Sequence, residues 1–148
     1  MEEDKTALGP LFSSAQVSGN AVPECDVLLL YAQVKTDGYI VGGNGGLRDI
    51  IQKARAAIAI VASPNGPDGL IAASQPTGYG KANLVLTINR KGQAFTRFYS
   101  ELFRRMHQGV TMPVAWVELA PQIPGAEHTD CPEGIFLLPK SATSCLGR

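Results

Sequence analysis

Phe95, Phe98, Tyr99, Leu102, Phe103 and Met106 recur at the three- and four-residue spacing that places side chains on one face of an α-helix. A helix with so wide an apolar stripe needs a sheet to lie on, so it constrains the fold more than any other segment. The surrounding stretch, 83–121, reads as strand, turn, long helix and second helix. LVLTI at 84–88 is the strand, Gly92 precedes the long helix, and His107-Gln108-Gly109 ends it with a glycine cap. Thr111 is placed to cap the second helix, Pro113 fits its first turn and Pro121 ends it. The stripe is expected to cover a sheet.

Upstream sequence supplies that sheet. VLLLYAQV at 27–34 is an almost unbroken apolar run, and Lys35-Thr36-Asp37-Gly38 turns the chain so that Tyr39-Ile40-Val41 pairs back as a short hairpin near this first core strand. GGNGG at 42–46 is a joint into a helix whose apolar side is Leu47, Ile50, Ile51 and Ala54. IAIVA at 58–62, five apolar residues before Ser63-Pro64-Asn65-Gly66, has the pattern of a strand buried on both faces. Three prolines and four glycines break 64–82 into a long loop with room for a short helix around Leu70 to Ser74. IFLL at 135–138 is read as an edge strand.

This alternation predicts an α/β fold: a three-layer α/β/α arrangement with a mainly parallel central sheet. Residues 1–25 lack periodicity and are read as an N-terminal arm, with 26–148 as a single α/β domain. The chain is 148 residues long, enough for a core without disulfides. Cys25, Cys131 and Cys145 are odd in number and irregular in spacing, which suits free thiols. The beginning Met1-Glu2-Glu3-Asp4 lacks the charge and apolar run of a signal peptide, and no apolar run reaches membrane-spanning length, so a cytoplasmic location is expected.

In a parallel sheet, ligands gather beyond the carboxyl ends of the strands. That rule selects Gln33 after the first strand, Ser63 and Asn65 after the second, and Asn89 and Arg90 after the third as candidate ligand-binding residues for a small molecule or peptide. An arginine fork and free helix N–H groups suit a carboxylate or other anion. No complete catalytic set accompanies them, and Ser63 is the alternative nucleophile.

Other chemistries are incomplete. Gly78-Tyr79-Gly80-Lys81 lacks a phosphate loop's first glycine, where Gln75 stands, and its hydroxyl, where Ala82 stands. GGNGG lacks the third glycine of a dinucleotide fingerprint. His128 and Cys131 are two ligands where a structural metal needs four, so neither metal nor cofactor is expected. Arg90, Lys91, Arg97, Arg104 and Arg105 form a solvated face offset by Glu101. With 13 basic and 13 acidic residues in all, nucleic acid is not an expected partner. A charged fraction of 18% against 45% hydrophobic suggests that part of the surface is covered by another copy, as in a homo-oligomer.

From Ala94 through Phe103, with Gly109 and the helix containing Ala115, the chain resembles the closing segment of caspase-like CHAT domains. VLLLYAQV, the Asp37-Gly38 hairpin, LRDII and IAIVAS follow the same layout, so the resemblance covers about residues 27–120. In that family the strand similar to VLLLYAQV ends in a catalytic histidine and the one similar to IAIVAS in a nucleophilic cysteine. The corresponding positions here, around Ala32 and Gln33 and at Ser63, carry no such dyad. The resemblance therefore implies the fold with a catalytically dead or repurposed cleft: a non-enzymatic domain that self-associates and binds a partner or ligand at the strand ends.

Overall fold

The computed structural model describes residues 2–19, 21–74, 83–88, 92–120 and 133–137, with the side chains of Pro67, 83–88, 92–94 and 133–137 left aside. In chain order the elements are α1 (Glu2–Leu8), a 3-10 turn (Gly9–Leu11), β1 (Val27–Tyr31), α2 (Leu47–Ala54), β2 (Ile58–Ser63), α3 (Pro67–Ser74), β3 (Asn83–Ile88), α4 (Gly92–His107), α5 (Met112–Leu119) and β4 (Glu133–Leu137). The fold is mixed α/β. It divides into two compact units, a sheet unit from 18–90 and 133–142 and a helical unit from 1–17, 91–132 and 143–148.

In the sheet unit the strands lie in the order β1-β2-β3-β4, the first three parallel and β4 antiparallel to β3. Every residue of β2 is buried, as the uninterrupted run at 58–62 requires of an inner strand. β4 takes the edge next to β3, which agrees with the edge strand read at 135–138, although Leu138 lies outside the described residues. Asp37 Oδ1 accepts the Tyr39 N–H at 3.0 Å, and Gly38, at φ +85°, completes the expected turn. The short helix expected around Leu70 starts earlier, at Pro67, where a missing N–H costs a first turn nothing.

The two helices of this unit, α2 and α3, share a face of the sheet. Leu47 of α2 and Leu70 of α3 pack in one cluster with Ala59 and Val61 of β2, joined by Leu28 and Leu30 of β1. The register sets Leu28 beside Ala59 and Leu30 beside Val61, so all four point to the same side. The reason is the strand order: two successive crossovers stepping the same way across a sheet, with the same hand, return on the same face.

α2 ends in a left-handed residue that is not glycine. Arg55 has φ 52° and ψ 20°, and its N–H donates to the Gln52 carbonyl at 3.3 Å. Its guanidinium meets Glu24 at 3.2 Å, but both side chains are largely exposed, so solvent screens the pair. Arg55→Gly is therefore expected to stabilise the protein by about 0.5–1 kcal/mol, because relief of left-handed strain outweighs the lost surface pair. Thermal melting checks this; a lower midpoint would show that the Glu24 pair matters more than the backbone.

In the helical unit, the six stripe residues of α4 are all buried, with exposures of 0–5%. Tyr99 is the hub: its ring centroid lies 4.6 Å from Phe95, 5.7 Å from Phe98 and 6.0 Å from both Phe103 and Trp116 of α5. Phe12 meets Phe103 edge-on at 5.1 Å. The stretch read as an arm contributes α1, whose Asp4 is buried and accepts a hydrogen bond from the Thr96 hydroxyl at 2.9 Å. Gly109, at φ +92°, caps α4 as expected: its N–H bonds to the Met106 carbonyl and that of Val110 to the Arg105 carbonyl. Thr111 stands at the start of α5 but its hydroxyl makes no capping bond; only its carbonyl serves the helix, accepting the Ala115 N–H.

Candidate functional site

The candidate site lies where β1 and β2 end. The outgoing chain leaves the ladder after the Ala32 N–H bonds to the Ala62 carbonyl at 3.1 Å. Two residues on, Val34 has no strand neighbour on that side to receive its peptide groups, and a side chain takes the neighbour's place. Asn65 Oδ1 accepts the Val34 N–H at 2.7 Å while Asn65 Nδ2 donates to the Val34 carbonyl at 2.7 Å. An asparagine side chain carries the same donor and acceptor as a peptide unit, so Asn65 extends the β1-β2 pairing by one step.

Ser63 completes the arrangement. Its hydroxyl donates to Asn65 Oδ1 at 2.8 Å and accepts the Asn65 N–H at 3.2 Å. Oδ1 thereby accepts two hydrogen bonds, the capacity of its lone pairs. Ser63 is 3% exposed, and Val34, at 5%, turns its side chain into the core formed with Leu47, Ala59, Val61 and Leu70. The polar corner is thus backed directly by the apolar one. Such a network, with each member satisfied, is rigid and costly to disturb.

The structure therefore brings Ser63 and Asn65 together, around Val34. Gln33 is adjacent in sequence, but its side chain is exposed, and its carbonyl accepts the Val41 N–H at 2.8 Å from the hairpin arm. Asn89 and Arg90 lie outside the described residues, as do His128, Cys131 and Cys145. Val34 is the member that sequence reading missed. A signal was present in Ser63-Pro64-Asn65-Gly66 directly after a buried strand, but recognising it requires knowing that β1 and β2 are neighbours and that β1 ends short of Val34.

The same geometry limits the chemistry. A serine nucleophile needs a base to take its proton. Here that proton points to an amide oxygen, and both hydrogen-bond partners of Ser63 Oγ belong to Asn65. The one described cysteine, Cys25, is half-buried and free, and burial, assisted by the neighbouring Asp26 charge, pushes its thiol pKa up. That favours the unreactive thiol over the thiolate. A shallow, open depression lined by Glu24, Asp49, Gln52, Lys53 and Arg55 mixes both charges at the surface. In the helical unit the basic face is internally balanced, Glu101 meeting Arg104 and Arg105 at 3.6 and 3.7 Å and Glu118 meeting Arg105 at 2.7 Å. His107 is exposed at the end of α4, its ring 6.1 Å from that of Phe12. Among the described residues no helix is long and apolar enough to cross a membrane.

Comparison with known protein families, characterised proteins and solved structures finds no match to this chain.

Proposed function

We propose that the chain is a non-enzymatic, cytoplasmic α/β domain that self-associates and binds a partner or small ligand at the carboxyl-terminal end of its sheet. A three-layer α/β/α layout of caspase-like or flavodoxin-like type is the structural premise of this reading. The observation that carries it is the commitment of the Ser63 hydroxyl to Asn65, which leaves the strand-end corner holding two strands together rather than presenting a nucleophile. Exposed groups suited to recognition lie beside that corner. Gln33 is open to solvent, and Tyr39 and Val41 of the hairpin arm bonded to it are 52% and 48% exposed. An amide next to an aromatic and an aliphatic side chain suits a peptide or small amphipathic ligand better than a strongly charged one.

The test is incubation of the folded chain with fluorophosphonate probes, followed by mass spectrometry. No adduct at Ser63 is expected at any pH between about 6 and 9, because its hydroxyl proton is held by the Asn65 amide oxygen, which is too weak a base to take it. Stoichiometric labelling of Ser63, abolished in Ser63→Ala, would overturn this reading in favour of a serine-dependent hydrolase or transferase.

A further inference from the structure

We infer that Asn65-Gly66 is a site of spontaneous covalent modification, at which the side chain that holds Val34 converts to aspartate or isoaspartate and thereby releases it.

The chemistry needs only water and residues already at the corner. In an Asn-Gly pair the glycine nitrogen attacks the asparagine side-chain carbonyl carbon, and glycine places no side chain in the path of that attack. Here the Gly66 nitrogen forms a bond to Asn65 Cγ. The Cγ–Nδ2 bond breaks, and Nδ2 leaves as ammonia with the proton of the Gly66 N–H. Water then opens the cyclic imide, at Cγ to give aspartate or at the Asn65 backbone carbonyl to give isoaspartate. In sum an amide and water give a carboxylic acid and ammonia, with no oxidant or reductant. Gly66 is exposed, an added Cβ there meets nothing within 4 Å, and its N–H donates to no acceptor among the described residues. The attacking atom is therefore open to solvent base.

The fold controls the other reactant. Three hydrogen bonds hold the Asn65 carboxamide: Oδ1 accepts from the Val34 N–H and the Ser63 hydroxyl, and Nδ2 donates to the Val34 carbonyl. Turning Cγ toward the Gly66 nitrogen gives these up, at about fivefold for each, so conversion in the folded chain is slowed roughly a hundredfold. The chain carries its own reference in Asn44-Gly45, the same pair in the joint before α2. Asn44 is exposed, and its side chain has no hydrogen-bond partner among the described residues.

Either product lacks the Nδ2 donor, so the Val34 carbonyl loses its partner and the pairing that Asn65 extends beyond β1 is undone. Opening of the corner thus hastens the reaction that prevents it from closing again.

Incubating the folded full chain in mildly alkaline buffer, with peptide mapping by mass spectrometry at intervals, tests this in wild type, Ser63→Ala and Gly66→Ala. In folded wild type Asn65 should convert roughly a hundredfold more slowly than Asn44, whereas in denaturing urea the two should convert at similar rates. Ser63→Ala removes one of the three bonds and should speed Asn65 about fivefold while leaving Asn44 unchanged. Gly66→Ala, whose methyl group obstructs the attack, should keep Asn65 intact. Aged wild type should then lose Val34 amide protection in step with Asn65 conversion, and equally aged Gly66→Ala should retain it. An Asn65 that keeps pace with Asn44 in the folded wild type, that is no faster in Ser63→Ala, or whose conversion leaves the Val34 amide protected would overturn the inference.

Discussion

Replacing Tyr99 by alanine is expected to destabilise the protein by about 4 kcal/mol, the largest loss from any single truncation considered for this chain. The ring is fully buried and in contact range of four others, Phe95, Phe98, Phe103 and Trp116. Its removal loses transfer energy, leaves a cavity that its rigid neighbours fill poorly and abolishes several ring-ring contacts at once. Urea unfolding monitored by Trp116 fluorescence reports directly, since this is the chain's one tryptophan and its ring centroid lies 6.0 Å from that of Tyr99. A contrasting substitution, His107→Ala at the exposed end of α4, should change stability by no more than about 0.5 kcal/mol. A Tyr99→Ala loss below about 1.5 kcal/mol would mean that the α4 stripe is loosely packed.

Asn65→Ala is the second large effect, at about 3 kcal/mol. It strips partners from the Val34 N–H, the Val34 carbonyl and the Ser63 hydroxyl together, beside a core that offers no replacement. The near-isosteric Asn65→Asp separates hydrogen bonding from shape. The introduced carboxylate still accepts from Val34 N–H but places a second acceptor against the Val34 carbonyl. Protonation restores a donor, so the folded-state pKa of that carboxyl rises above the ordinary aspartate value of about 3.9. A raised carboxyl pKa contributes stability that is present below the unfolded value and lost as pH rises through the folded one. Asn65→Asp should therefore be clearly less stable than wild type at pH 7 and approach it as pH falls toward about 4. A gap that stays constant or widens on acidification would show that the side chain does not face the Val34 carbonyl.

These two sites illustrate what could be read without coordinates. The α4 stripe was legible because helical periodicity is local: spacing alone puts Phe95 and Phe103 on one side. Burial of β2 was legible from its unbroken apolar run, and the Gly109 cap from glycine's freedom at positive φ. The helix within the N-terminal stretch was not, since Glu2–Leu8 is short and its anchor is the long-range bond between Thr96 and Asp4. The shared face of α2 and α3 was hidden because it depends on strand order, which no local pattern encodes.

The candidate site was half legible for the same reason. Strand-end logic identified Ser63 and Asn65 as residues to watch. It could not show that Asn65 would meet the backbone of Val34, because the two are 31 residues apart and joined only through the β1-β2 pairing. Polar residues after a buried strand serve equally well as ligand groups or as substitutes for a missing strand, and only the partner's position decides between them.

Amide exchange at Val34 tests most directly whether this corner holds strands rather than binds or reacts. In wild type the Val34 amide should be protected to the level of the Leu28 and Leu30 amides. In Asn65→Ala it should lose that excess protection while Leu28 and Leu30, once corrected for the change in global stability, keep theirs. A Val34 amide that exchanges freely in the wild-type protein would contradict the account, leaving the Asn65 amide available for a ligand.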